Sequence, residues 1–201
     1  MNDIIYANSL ISAYMAKYML DQTHIQSMVR AKDFQTAAAM LTQCDYRVII
    51  GTIDEIIEAA RADAFEMFEK YCPDNAVVSC IKAIFDFKTT VLSDKILKDA
   101  EKELAEKINA NIKSIKYEKI RLWLQTYINA IDGKAKIPSN QLFNMAYEMR
   151  TDVDQGGLIF YWYILKQSEL VAVKTILLGQ QFNLEREKIM DNLRWIYGRF
   201  S

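Results

Sequence analysis

Residues 51–73 read GTIDEIIEAARADAFEMFEKYCP, and they establish the helical character of the chain. Gly51 breaks the preceding run. Thr52 and Glu55 form a Thr-x-x-Glu pair, in which each side chain reaches the other residue's backbone N–H and satisfies donors that a helix start otherwise leaves orphaned. Ile53, Ile56, Ile57, Ala60, Ala64, Met67, Phe68 and Tyr71 then recur at spacings of three and four, one continuous apolar stripe. Cys72-Pro73 closes the segment, because a residue before proline is disfavoured in the α region.

The same grammar extends toward the C-terminus. Asp74 or Asn75 opens a helix through AVVSCIKAIFDFKTTVL. Residues 94–119 are the most charged part of the chain. Leu97, Ala100, Leu104, Ile108, Ile112 and Ile115 form a narrow apolar stripe there, and Glu103 to Lys107 is a supportive i,i+4 pair. The stripe continues through Tyr117, Ile120, Leu124, Tyr127, Ile128 and Ile131, so that one long helix or two stacked ones both fit, with a bend placed near Asn109 to Ser114. Gly133-Lys134-Ala135 and Pro138 mark a loop, and Ser139 or Asn140 caps QLFNMAYEMR. Gly156-Gly157 precedes a long apolar helix that the pattern ends at Gly179, a natural residue just past a helix end. Asn183 is expected to cap a final helix, LEREKIMDNLRWIY, with Glu185 and Glu187 in its first turn and Gly198 as its stop.

Toward the N-terminus, residues 4–20 (IIYANSLISAYMAKYML) are apolar on more than one face, which predicts a helix buried between others. Thr23 is the expected cap of HIQSMVRA, and Asp33 that of FQTAAAMLTQ. Val48 to Ile50 is the only strand candidate and is too short to build a sheet. The fold class is therefore all-α, a bundle of about eight to ten helices.

Composition agrees. Hydrophobic residues make up 51 % and charged residues 25 % of 201 positions, which excludes a disordered polyelectrolyte. A chain of this length buries about 70 % of its surface on folding and needs no staple. Six Gly and two Pro argue against sandwiches, barrels and Gly-rich nucleotide folds, which need many special backbone conformations. Lys+Arg 25 against Asp+Glu 26 leaves a net charge of -1, so no global basic field exists to hold nucleic acid or an anionic lipid surface. Cys44, Cys72 and Cys80 form no CxxC and read as buried, reduced thiols of a cytosolic protein. The start, MNDIIYANSL, lacks a basic region followed by an apolar one, so no secretory signal is expected. The longest apolar run, Leu158 to Leu165, is far shorter than the ~20 residues that span a bilayer. A soluble chain without a transmembrane segment is expected.

No reactive constellation emerges. His24 is the only histidine and starts a short helix, where a half-exposed surface role is the default. A zinc site would need it together with all three cysteines, at spacings unlike a tetrahedral set. Gly133-Lys134 lacks the glycines and the Ser/Thr of a phosphate loop. The lysines from Lys95 to Lys119 alternate with Asp99, Glu101, Glu103 and Glu106, which makes a solvated helix face. Phe160, Tyr161, Trp162 and Tyr163 point all around their helix, and either core packing or a partner contact fits them. No catalytic, cofactor-binding or metal-binding residue is assigned, no cofactor is expected, and the chain reads as a non-enzyme.

Three stretches resemble a known family. YANSLISAYMAKYMLDQTHIQSMVRAKDFQTAAAMLTQCDY, residues 6–46, is similar to the N-terminal lobe of the central-stalk C subunit of the bacterial and archaeal V/A-type ATPases (ATP synthases), known as d in the vacuolar enzyme. LIFYWYILKQSELVAVKTILLGQQFNLEREKIMDNLR, residues 158–194, resembles its C-terminal lobe, with Glu169, Gly179, Glu185 and Leu193-Arg194 at matching places. CPDNAVVSCIKAIFDFKTTVLSDK, residues 72–95, resembles a Pro-led helix running into an aromatic-Asp-aromatic step, filled here by Phe85-Asp86-Phe87. KTTVL at 88–92 and KTILL at 174–178 echo each other, as a repeated lobe would. Family members are longer and have three lobes, Thr89 and Ala172 stand where they tend to show Asn, and Gln180 replaces the usual Lys.

The resemblance implies a shortened member: two pseudo-repeated helical lobes, 1–95 and 141–201, joined by charged connecting helices over 96–140, or one continuous domain. It implies a non-catalytic central-stalk (rotor) component on the cytoplasmic face of the membrane. Its partners would be the shaft subunits D and F and the membrane proteolipid ring, and it would couple rotation to proton or sodium transport. Asp86, Glu169, Gly179 and Arg194 are the motif positions it marks. Outside the family, the alternative is an unrelated all-helical protein–protein interaction scaffold, with an unrecognised all-α active site as a third reading. For Asp86 and Glu169 the expectation is a structural one, carboxylates paired with lysines or capping neighbouring helices.

Overall fold

The computed structural model describes residues 2–47, 49–90, 94–131, 140–153 and 156–197, with side chains over 4–47, 49–87, 98–131, 140–153 and 156–193. Among the described residues the structure is all-α, with no strand. The helices are α1 (Asn2–Tyr18), α2 (Gln22–Arg30), α3 (Phe34–Ala39), α4 (Ile53–Tyr71), α5 (Asn75–Thr90), α6 (Asp94–Ile112), α7 (Glu118–Ile131), α8 (Gln141–Glu148), α9 (Gly157–Gln181) and α10 (Arg186–Tyr197). Short 3-10 turns follow α3 at Met40–Cys44 and α8 at Met149–Thr151.

The chain divides into two compact units that are discontinuous in sequence. One comprises Met1–Asn8 and Met67–Tyr161, the other Ser9–Glu66 and Trp162–Ser201. The dividing points fall inside α1, α4 and α9, because helices of 17, 19 and 25 residues are long enough to contribute to more than one local core.

Local starts follow the side chains named above. Thr52 N–H donates to Glu55 Oε2 at 2.7 Å and Glu55 N–H to Thr52 Oγ1 at 3.2 Å, the reciprocal capping box of α4. Gly51, at φ 135°, holds a backbone conformation that L side chains rarely adopt, and an added Cβ would stand 2.6 Å from the Glu55 carboxylate. Ile53, Ile56, Ile57, Ala60, Ala64 and Phe68 of the stripe are buried. Asp33 caps α3 by accepting from Thr36 N–H at 2.8 Å, and Asp74 accepts from Ala76 N–H at 2.9 Å where α5 begins. The cap of α2 is Asp21 rather than Thr23: its extended backbone lets its carboxylate accept from His24 N–H at 2.8 Å, so the helix starts two residues earlier than expected. Asn140 stands before α8 but makes no side-chain capping bond. Ser139, the Gly133–Pro138 loop and Gly198 lie outside the described residues.

Within the first unit, α5 packs on α6, α6 on α7 and α7 on α8. The break between α6 and α7 spans 113–117, and two helices form instead of one. Asn111 Nδ2 donates to Lys107 O at 3.0 Å and Ser114 Oγ to Asn111 O at 2.7 Å, local bonds that compete with the helical ladder. Lys116 N–H then turns out to Asp74 Oδ2 at 3.2 Å. In the core, Trp123 stacks on Tyr127 at 5.4 Å, meets the edge of Phe160 at 5.1 Å, and donates its indole N–H to Leu142 O at 2.7 Å. Tyr161 lies edge-on to Tyr147.

In the second unit, Ile25, Met28, Leu41, Ile56, Ile176, Leu177, Ile189 and Leu193 are central members of one buried cluster drawn from α2, α4, α9, α10 and the turn after α3. Each such side chain contributes roughly 1.5–3 kcal/mol by leaving water. Of the four consecutive aromatics, Phe160 and Tyr161 belong to the first unit and Trp162 and Tyr163 to the second; all four are buried, so core packing accounts for each. α1 departs from the expectation of a fully enclosed helix. Ala7 and Ile11 are buried, while Ile5, Tyr6, Ser12, Ala13 and Ala16 are exposed.

Candidate functional site: a buried glutamate that ties two turns to one helix

Glu169 sits on α9 with 0 % relative exposure and accepts three hydrogen bonds. Leu20 N–H, in the turn from α1 to α2, reaches Oε2 at 2.8 Å. The Tyr46 hydroxyl, in the connection leading to α4, donates to Oε1 at 2.9 Å. Lys166 Nζ, one helical turn earlier on the same face, approaches Oε1 at 2.5 Å. The Lys166 side chain is 4 % exposed, and its ammonium also lies 4.5 Å from the centre of the Tyr46 ring.

A buried ion pair of this kind persists only when its remaining hydrogen-bonding capacity is met. Here both carboxylate oxygens are engaged and the cation has an ionic and an aromatic partner. Two loops far apart in sequence are thereby fixed to one point on α9. Around this centre the segment 45–47 reaches outward. Asp45 adopts the left-handed conformation at φ 59°, and Arg47 pairs with Asp63 of α4 at 3.1 Å. Burial raises the Tyr14 hydroxyl well above the usual tyrosine range, reinforced by the negative charges of Asp45, Glu169 and Asp63. The Cys44 thiol is pushed up to about 11 by burial and then by Glu169. Enclosed this way, the carboxylate fixes the backbone at Leu20 through its N–H.

The other motif positions fall elsewhere. Asp86 is exposed on α5 and pairs with Lys82 at 3.2 Å. It borders a groove between α5 and α6 with Glu103 and Lys107, which pair with each other at 2.7 Å. Gly179 is not a residue past a helix end: α9 continues to Gln181, and an added Cβ at Gly179 would stand 2.6 Å from Ile189 Cδ1 and Cγ1. The glycine permits close approach of α10, and this packing reason mimics a stop signal in sequence. The true end uses Asn183, in the left-handed region at φ 51°, with Leu184 N–H to Gly179 O at 2.8 Å and Asn183 N–H to Gln180 O at 3.2 Å. That is a Schellman closure, so Asn183 ends α9 and does not cap α10. Arg194 falls in α10, and its side chain lies outside the described residues.

Gln180 donates to Met28 O at 3.2 Å and Val29 O at 2.9 Å, closing the last turn of α2. His24 is half-buried, with Nδ1 2.7 Å from Asp21 Oδ1, and belongs to the α2 cap. Cys44, Cys72 and Cys80 are buried, free thiols. Among the described residues no group of three or more His, Cys, Asp or Glu is placed to hold a metal ion, and no helix is long and apolar enough to cross a membrane. Sequence reasoning marked Glu169 and missed its partners Lys166 and Tyr46. Lys166 and Glu169 are the only charged residues between Leu158 and Val173, and such isolation in an apolar run signals a pair that must neutralise itself.

No protein-family model, curated protein or solved structure matches the chain.

Proposed function

We propose that this chain is a non-catalytic central-stalk component of a V/A-type rotary ATPase, a shortened relative of the family's C subunit. It would act at the cytoplasmic face of the membrane, linking the shaft subunits D and F to the proteolipid ring so that rotation is coupled to proton or sodium transport. The resemblance over 6–46, 72–95 and 158–194 supplies the family. The observation that supports the mechanical role is the setting of the motif glutamate: Glu169 is engaged by Leu20, Tyr46 and Lys166, and such a fully paired buried group holds packed elements in place. Tightly packed interiors have low compressibility and transmit strain, which is the property a coupling needs.

A helical interaction scaffold outside that family is the second reading. Phe182 and Leu184, exposed on the hydrogen-bonded α9–α10 turn at 67 % and 45 %, favour it as apolar contact points. The test is sedimentation of the purified chain with the purified D–F shaft and, separately, with the detergent-solubilised proteolipid ring from the same source. Stable association with shaft and ring, without ATP turnover by the chain alone, is the expected result. A folded chain, verified by circular dichroism, that binds neither component would remove the rotor reading and leave the scaffold.

A further inference from the structure

We draw no further inference here: the strongest candidate, the groove of about 230 Å3 between α5 and α6 lined by Phe87 and Leu104, has rim charges already paired as Lys82–Asp86 and Glu103–Lys107, and nothing in the structure shows what covers it.

Discussion

Changing Glu169 to Gln, alone and together with Lys166→Met, tests the buried network directly. In Glu169→Gln the amide oxygen can still accept, but the –NH2 group faces a donor where a carboxylate oxygen stood. Lys166, 4 % exposed, is then left without its counter-ion. Removing one partner of a buried pair costs about 3–5 kcal/mol, and a donor left unsatisfied adds about 1–3 kcal/mol. Lys166→Met produces the mirror situation, a buried carboxylate holding only the Leu20 and Tyr46 donors. Either loss is a large part of the roughly 5–15 kcal/mol by which a domain is stable. The double variant Lys166→Met/Glu169→Gln carries no uncompensated charge, and only the imperfect hydrogen bonding remains, about 1–3 kcal/mol. Urea unfolding followed by far-ultraviolet circular dichroism and tryptophan fluorescence gives the three free energies. The double variant should be more stable than either single variant. Losses that add to within about 0.5 kcal/mol would refute the coupling, because independent sites behave that way.

Three further outcomes follow from the same structure. Gly179→Ala gains about 1 kcal/mol of helix propensity but overpacks against Ile189 by about 1–3 kcal/mol. A modest net loss in melting temperature is expected, partly recovered by adding Ile189→Val; a stabilised single variant would show that α10 yields freely. The Asp152 carboxyl is held below the usual carboxylate value chiefly by Lys119 and then by Tyr117. A depressed folded value means the contribution is present above the unfolded value of about 3.9 and is lost as pH falls through the folded one. Asp152→Asn should therefore flatten the melting temperature against pH in that acid range, and an unchanged slope would contradict the assignment. The Cys72 and Cys80 thiols are each pushed up to about 12 by burial, and Cys44 to about 11. With little thiolate available near pH 8, a disulfide reagent should label none of the three quickly in the native protein and all three in denaturant. Rapid native labelling of any one would mark an opening near it.

Where sequence reading succeeded, neighbours within four residues carried the information. The Thr52–Glu55 box, the Asp33 cap and the stop at Cys72-Pro73 each rest on a hydrogen bond or steric clash closed inside one helical turn. Asn111 and Ser114 likewise announce a bend through their short-range bonds. Failures came where one residue type serves two purposes. Gly179 and Asn183 both suit a helix end, and only the position of Ile189 against Gly179 separates close packing from termination. α1 is more exposed than its sequence suggests because apolar letters on several faces do not reveal whether neighbours exist to cover them.

By itself the sequence determined that this chain is a set of amphipathic helices with particular beginnings and breaks, since 3.6-residue periodicity and capping chemistry are local. Tertiary structure decided which of those helices share a core and what Glu169 does. Its contacts lie 149 positions away at Leu20 and 123 away at Tyr46, and only folding brings them together. A buried charge is tolerable when its partners converge in space, and no local pattern encodes that convergence.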